Sequence, residues 1–151
     1  LAKGSELWYT DKKLPFYVRK GRTMNIYESA ENYLEAILRL REANGMVRSI
    51  DIANHLGFSK PSVSVAMKKL RESGYIAMDE DGLISLCPAG EEIARRIYER
   101  HQLLTEFFTR LGVDPEVAAA DACKVEHDLS EETFQKIKEH AQKGTLPEET
   151  R

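Results

Sequence analysis

Residues 47–76 constrain the fold more tightly than any other part of the chain. Ile52, Ala53 and Leu56 make a short apolar face that stops at Gly57. Val63, Ala66, Met67 and Leu70 make a second face at helical spacing only a few residues later. Between them Ser59 is placed as an N-cap, and Pro61 falls in the first turn of the following helix, where a missing N–H costs nothing. Ser49 is the candidate N-cap of the first helix, and Gly74 ends the second. Two short helices joined through a glycine turn read as a helix-turn-helix, in which one helix braces the other so that its N-terminal end enters the major groove. Ser59, Ser62 and Ser64 are small enough to approach base edges. Lys60, Lys68, Lys69 and Arg71 can reach phosphates, the contacts that supply most of the affinity and make it salt-dependent. Pro61 and Val65 offer apolar contact to thymine methyls. Arg48, at the entry to the first helix, joins the DNA-binding candidates. A plain helical hairpin is the alternative.

The flanking segments extend this pattern. Residues 75–78 and 83–86 read as strands around an Asp-Gly turn, the wing of a winged helix-turn-helix. The wing tip, Asp79-Glu80-Asp81, is acidic, so strong phosphate contact from it is not expected. Upstream, Asn25 and Glu28 fit a capping box. Ala30, Tyr33, Leu34, Ile37, Leu38 and Arg41 follow a 3.6-residue period up to a left-handed stop at Asn44-Gly45. Asn32 and Glu35 flank that stripe. Downstream, a helix over 88–111 carries Ile93, Ile97, His101, Leu104, Phe108 and Leu111 and ends at Gly112. With Leu103 and Phe107 added, its end holds enough apolar surface for a subunit interface. Asp114 and Pro115 start a helix over 115–127. Ser130 caps a last one bearing Phe134, Ile137 and Ala141, with Gly144 as its stop. The fold class is therefore mainly α with a small β-hairpin. A winged helix-turn-helix domain over 24–87 is followed by a helical domain over 88–144, with a flexible extension over 1–23 and a tail over 145–151. The extension carries Trp8 and the cations Lys12, Lys13, Arg19, Lys20 and Arg22, and reads either as a DNA-contacting arm or as a loose end.

A second feature carries chemistry. On the helix over 115–127, Cys123, Glu126 and His127 stand at i, i+3 and i+4, which puts a thiolate, a carboxylate and an imidazole on one face. One helix can supply half of a transition-metal site in this way. His101 occupies an apolar position and is either a core histidine or a further ligand. Carboxylate with imidazole suits Fe(II) or Mn(II), and one thiolate shifts the preference towards Fe, Co, Ni or Zn; a closed tetrahedral zinc site wants more Cys or His. Binding needs a thiolate and neutral imidazoles, so affinity rises with pH.

Composition agrees. Residues 47–76 hold five Lys/Arg against two Asp/Glu, and residues 77–151 hold nine against seventeen, within a net charge of −3. A basic segment before an acidic one suits a nucleic-acid reader joined to a cation-binding or assembly lobe. The two cysteines, Cys87 and Cys123, make a poor disulfide framework for 151 residues. No apolar run approaches membrane-spanning length and nothing resembles a secretory signal, so a cytoplasmic protein without a membrane partner is expected. Cys123 and His127 could serve as nucleophile and base, but no phosphate-binding loop or oxyanion hole accompanies them, and an enzyme is not expected.

Taken together, Ala30-Glu31-Asn32-Tyr33-Leu34-Glu35, Ser59-Lys60-Pro61-Ser62-Val63-Ser64, Glu99-Arg100-His101 and Asp121-Ala122-Cys123-Lys124-Val125-Glu126-His127 resemble the diphtheria-toxin-repressor family of metal-dependent regulators. The likeness runs from about Asn25 to Gln142. It implies a homodimer that represses iron or manganese homeostasis genes by binding a palindromic double-stranded operator when Fe(II) or Mn(II) is bound. It implies metal ligands at Cys123, Glu126 and His127, with cysteine as in the iron-responsive branch, at His101, and at Glu35, as in the manganese-responsive branch. Asn32 stands where the iron branch has methionine and the manganese branch aspartate, and offers only a neutral amide oxygen. Thr105 and Ala119 stand where an ancillary metal site of the iron branch has a carboxylate and a histidine. Val65 replaces a polar recognition residue of that branch. The resemblance implies the short form, without the extra C-terminal domain of longer members. A winged helix-turn-helix regulator that senses an organic ligand or thiol oxidation through Cys123 is the alternative.

Overall fold

In the computed structural model the described residues are 26–143, with side chains from residue 28. The extension over 1–23, the Asn25 end of the first capping box, Gly144 and the tail lie outside them. The elements run α1 (Ile26–Asn44), α2 (Ser49–Leu56), α3 (Lys60–Glu72), β1 (Ile76–Met78), β2 (Ile84–Leu86), α4 (Pro88–Arg110), α5 (Pro115–Val125) and α6 (Glu131–Gln142). The chain forms two compact units that divide within α4, between Arg96 and Ile97.

In the first unit, the capping chemistry explains where the helices begin and end. The Ser62 backbone N–H donates to Ser59 Oγ at 3.3 Å, and Gly57 closes α2 in the left-handed region at φ 68°, a conformation that costs glycine little. The start of α2 differs from expectation. Ser49 is its first helical residue, and the cap is Arg48, whose extended backbone places its N–H 2.8 Å from Asp51 Oδ2. The carboxylate at the third helical position accepts the N–H of the cap residue itself, and among the described residues no side chain accepts a first-turn N–H as the Ser49 hydroxyl was expected to.

The expected stripes are buried except at Leu56 and Arg41, which are half-buried. Leu34, Ile37 and Leu38 of α1, Ile52 of α2 and Val63, Met67 and Leu70 of α3 are all buried, each fully buried side chain worth roughly 1.5–3 kcal/mol. Tyr33 and Phe58 add an edge-to-face contact at 5.8 Å. The hairpin is antiparallel, with Ile76 opposite Leu86, Ala77 opposite Ser85 and Met78 opposite Ile84. Its turn is fixed by Asp79, whose Oδ1 accepts the N–H groups of Asp81 and Leu83. The Ile84 N–H reaches the Val47 carbonyl at 2.8 Å and so ties the hairpin to the α1–α2 connection. The first turns of α4 are held by a two-pronged ion pair, Arg41 Nη1 and Nη2 each 2.7 Å from a Glu91 oxygen.

In the second unit, Ile97, Leu104, Ala118, Ala122 and Phe134 are buried. Asp114 caps α5 by accepting the N–H groups of Glu116 and Val117, and Ser130 caps α6 by accepting that of Thr133. Two expectations are corrected. Leu111 does not extend the buried stripe of α4 but is 59% exposed, because α4 ends at Arg110 and Gly112 turns the chain at φ 99°. In addition, α5 ends at Val125, so Glu126 and His127 lie beyond its last helical residue.

Candidate metal centre and nucleic-acid interface

Of the face drawn for Cys123, Glu126 and His127, Cys123 and Glu126 fall in one group with His101, and His127 lies outside that group with its Nε2 beside Glu126 Oε1. Glu126 keeps helical dihedrals (φ −56°, ψ −31°) and its N–H still bonds the Ala122 carbonyl. The turn then tightens through the Asp128 N–H to the Val125 carbonyl at 3.0 Å. Ala118 and Ala122, both fully buried, let α5 lie close against its neighbours. His101 completes the group from α4, in the buried stripe between Ile97 and Leu104.

Nδ1 of His101 lies 2.9 Å from Glu126 Oε2 and 3.5 Å from Cys123 Sγ. Glu126 Oε1 lies 3.3 Å from His127 Nε2. Among the described residues, one ligand atom from each of His101, Cys123 and Glu126 falls within 4.8 Å of the others. Metal–ligand bonds of about 2.0–2.3 Å let two donors on one ion stand up to about 4.6 Å apart, so small side-chain adjustments suffice. The carboxylate is 1% exposed, with His101 Nδ1 beside its Oε2 and His127 Nε2 beside its Oε1. A buried carboxylate is costly unless positive charge faces it. Cys123 is exposed and gives the group an opening to solvent. The donor set thus fits a divalent transition metal.

The electrostatics point the same way. His101 is pushed up to about 10, first by its hydrogen bond with Cys123 and then by that with Glu126, against the opposing effect of burial. Burial pushes Glu126 up, but hydrogen bonds from His101 and His127 outweigh it and hold the carboxyl below its ordinary range. A proton on His101 therefore supplies the positive charge that the thiol and carboxylate attract.

The other proposed ligands belong to the first unit. Glu35 is buried on α1, 5% exposed, with Arg39 Nη1 3.5 Å from its Oε1. Asn32 is half-buried on the same helix. At Thr105, where an ancillary site would need a carboxylate, the hydroxyl donates to the His101 carbonyl at 2.7 Å.

On α3 the buried stripe fixes which residues face outward. Lys60, Pro61, Ser62, Ser64, Lys68 and Lys69 are exposed, as are Ser59 and Arg48 before the two helices. Val65 is 56% exposed. The Ser59 and Ser62 hydroxyls bond each other at 2.8 Å, which presents a preset polar pair at the helix start. The exposed wing tip carries Asp79, Glu80 and Asp81, as expected.

Arg100 was not singled out by its chemistry in the sequence. It is 6% exposed and bonds the Glu126 and Leu129 carbonyls. Its spacing held the signal: with Ile97, His101 and Leu104 it stands at i, i+3, i+4 and i+7, positions that share one helix face.

Residues 25–83 match the iron dependent repressor N-terminal DNA binding domain, and residues 87–145 match the iron dependent repressor metal binding and dimerisation domain. The chain belongs to the iron-dependent repressor family. This agrees with the resemblance and the fold class read from the sequence. Transcriptional regulator MntR of Salmonella typhimurium is 38% identical over 116 residues, 77% of this chain and 74% of that protein. HTH-type transcriptional regulator MntR of Listeria monocytogenes is 35% identical over 109 residues, 72% of this chain and 77% of that protein. Among solved structures, IdeR of T. acidophilum superposes with a TM-score of 0.67 at 27% identity, covering 73% of this chain and 52% of that one. A manganese-dependent transcriptional repressor complex with manganese gives 0.68 at 25% identity, covering 75% and 52%. The chain spans about half the length of these solved chains. The family and these relatives are transcriptional regulators, not enzymes. No described helix is long and apolar enough to cross a membrane.

Proposed function

We propose that this chain is a cytoplasmic repressor whose grip on a palindromic operator is switched on by Fe(II) or Mn(II), with His101, Cys123, Glu126 and His127 as ligands. The observation that carries the reading is the convergence of an imidazole nitrogen, a thiol sulfur and a buried carboxylate in the unit matched to a metal binding and dimerisation domain. The names of the MntR relatives and of the manganese-bound structural neighbour favour manganese, while the Cys123 thiolate favours softer ions such as iron. A bound divalent ion supplies charge and a coordination geometry that hydrogen bonds within the group do not. For the chain's own residues, Glu126 spans both histidines, His101 gives up the Nδ1 proton to become a donor, and Cys123 binds as thiolate.

Glu35 and Asn32 as further ligands rest on the resemblance, supported for Glu35 by the burial of its carboxylate. Arg48, Ser59, Lys60, Pro61, Ser62, Ser64, Lys68 and Lys69 form the DNA-reading surface, with serines towards base edges and lysines towards phosphates. Two such surfaces in a dimer engage operator half-sites about one helical turn apart.

Metal analysis of purified protein beside Cys123→Ala, Glu126→Ala and Glu35→Ala tests the ligand set. Loss of metal in the first two is expected, and loss in the third assigns Glu35. Full metal content in both Cys123→Ala and Glu126→Ala overturns the assignment. DNA binding that ignores metal but is abolished by alkylating Cys123 would favour the thiol-sensing alternative.

A further inference from the structure

Past Val125 the chain leaves the helix in a turn closed by the Asp128 N–H on the Val125 carbonyl, and this is where Glu126 and His127 must be held still. One buried side chain adds bonds to two carbonyls of this turn. Arg100 Nη1 donates to the Glu126 carbonyl at 3.1 Å and to the Leu129 carbonyl at 2.8 Å, and Nη2 donates to Glu131 Oε2 at 2.7 Å. The guanidinium carbon lies 4.9 Å from the centre of the Phe134 ring. The Arg100 side chain is 7% exposed, whereas Glu131 is 63% exposed. Burying a guanidinium is a poor route to stability, since apolar residues of similar volume often serve as well or better. What an apolar residue cannot do is bond two carbonyls on either side of a turn and dock the next helix at the same time.

We propose that Arg100 is a positioning residue of the metal centre. Its guanidinium fixes the turn over 126–130, and through it the directions of the Glu126 and His127 side chains, without touching the ion. The inference rests on the metal-binding reading above. Arg100 follows Ile97 on the same helix face that delivers His101, so α4 supplies one ligand directly and orients two others through the carbonyls of the turn. Metal affinity then depends on hydrogen bonds made by a residue that is not a ligand, as outer partners of metal ligands commonly do.

The test is Co(II) titration of the full chain, followed by the Cys123 thiolate-to-cobalt absorption, with urea unfolding and far-ultraviolet circular dichroism of the metal-free protein alongside. In Arg100→Met the Co(II) dissociation constant is expected to rise by about tenfold or more, with native helix content retained. Arg100→Lys, which can serve one carbonyl but not the whole set, is expected to fall between Met and the parent. Glu131→Gln, which leaves both carbonyl bonds in place, is expected to stay within about threefold of the parent. If Arg100→Met does not fold, Arg100→Lys carries the comparison alone. Parental affinity in every folded Arg100 variant would overturn the positioning role and leave the metal reading intact. Failure of the parent to bind Co(II) would instead overturn the metal reading, and the inference with it.

Discussion

In the proposed site a proton and a metal ion compete for His101 Nδ1. The group stands at about 10 in the folded chain against an ordinary 6.5, so near neutral pH the imidazole must lose a proton before it can ligate. Glu126 is held low and is already ionised there. Each proton released adds up to about a tenfold gain in apparent affinity per pH unit. Competition titrations with Mn(II) between pH 6.5 and 8.5 are therefore expected to show affinity rising with pH; a flat profile would mean that His101 is not a ligand. Without metal, the same group acts in the opposite direction on stability. Its contribution is complete below about pH 6.5 and is lost as pH rises through about 10. Glu126, with its depressed value, contributes above its ordinary range and is lost on acidification. The metal-free melting temperature is expected to fall from pH 7 towards pH 9.5, and His101→Gln is expected to flatten that fall. Cys123→Ala should weaken Mn(II) or Co(II) binding by roughly 100-fold, read by the same titration.

At the level of elements, the packing of α4 against the hairpin unit turns on Gly90. A Cβ there would stand 2.1 Å from the Tyr75 carbonyl oxygen and 3.3 Å from Leu34 Cδ2, and that carbonyl already accepts the Cys87 N–H at 2.9 Å. Backbone cannot yield as a flexible side chain does, so Gly90→Ala is expected to cost about 1–3 kcal/mol in urea unfolding; unchanged stability would show that the approach is looser. The Gly90 contact also marks where reading from sequence stops. Ser59, Pro61, Gly57 and the apolar stripes of α1, α2 and α3 were legible because caps and periodicity act within a few residues. The cap at Arg48 was not, because Asp51 accepts the N–H of Arg48 and Ser49 is already helical. The end of α5 was not, because besides the local Asp128 N–H on the Val125 carbonyl the turn takes bonds from Arg100, 26 and 29 residues away, a distance over which no local rule operates. The candidate group was visible in part: i, i+3 and i+4 spacing put Cys123, Glu126 and His127 on one helix face, whereas it took the fold to bring His101 to Cys123 and Glu126.

For the whole molecule, function lies in the coupling of two binding events. The proposed reading surface on α3 is basic and exposed, with Lys68 and Lys69 outward, while the wing tip is acidic. Lys68→Ala is expected to weaken DNA binding by a similar factor on any sequence and to lower the slope of log affinity against log salt by about one; an unchanged slope would remove Lys68 from the interface. Metal and DNA must each tighten the other by the same factor if both favour one state of the protein. That coupling is tested most directly by fluorescence anisotropy of a labelled duplex, selected from a random pool in the presence of Mn(II). The duplex is titrated with the full chain in Mn(II), in Fe(II) under anaerobic conditions, and in chelator. Affinity in metal at least about tenfold above that in chelator, a coupling of about 1.4 kcal/mol, with the gain abolished in Glu126→Ala, is the expected result. Equal affinity in all three conditions would contradict the proposal that metal switches on DNA binding.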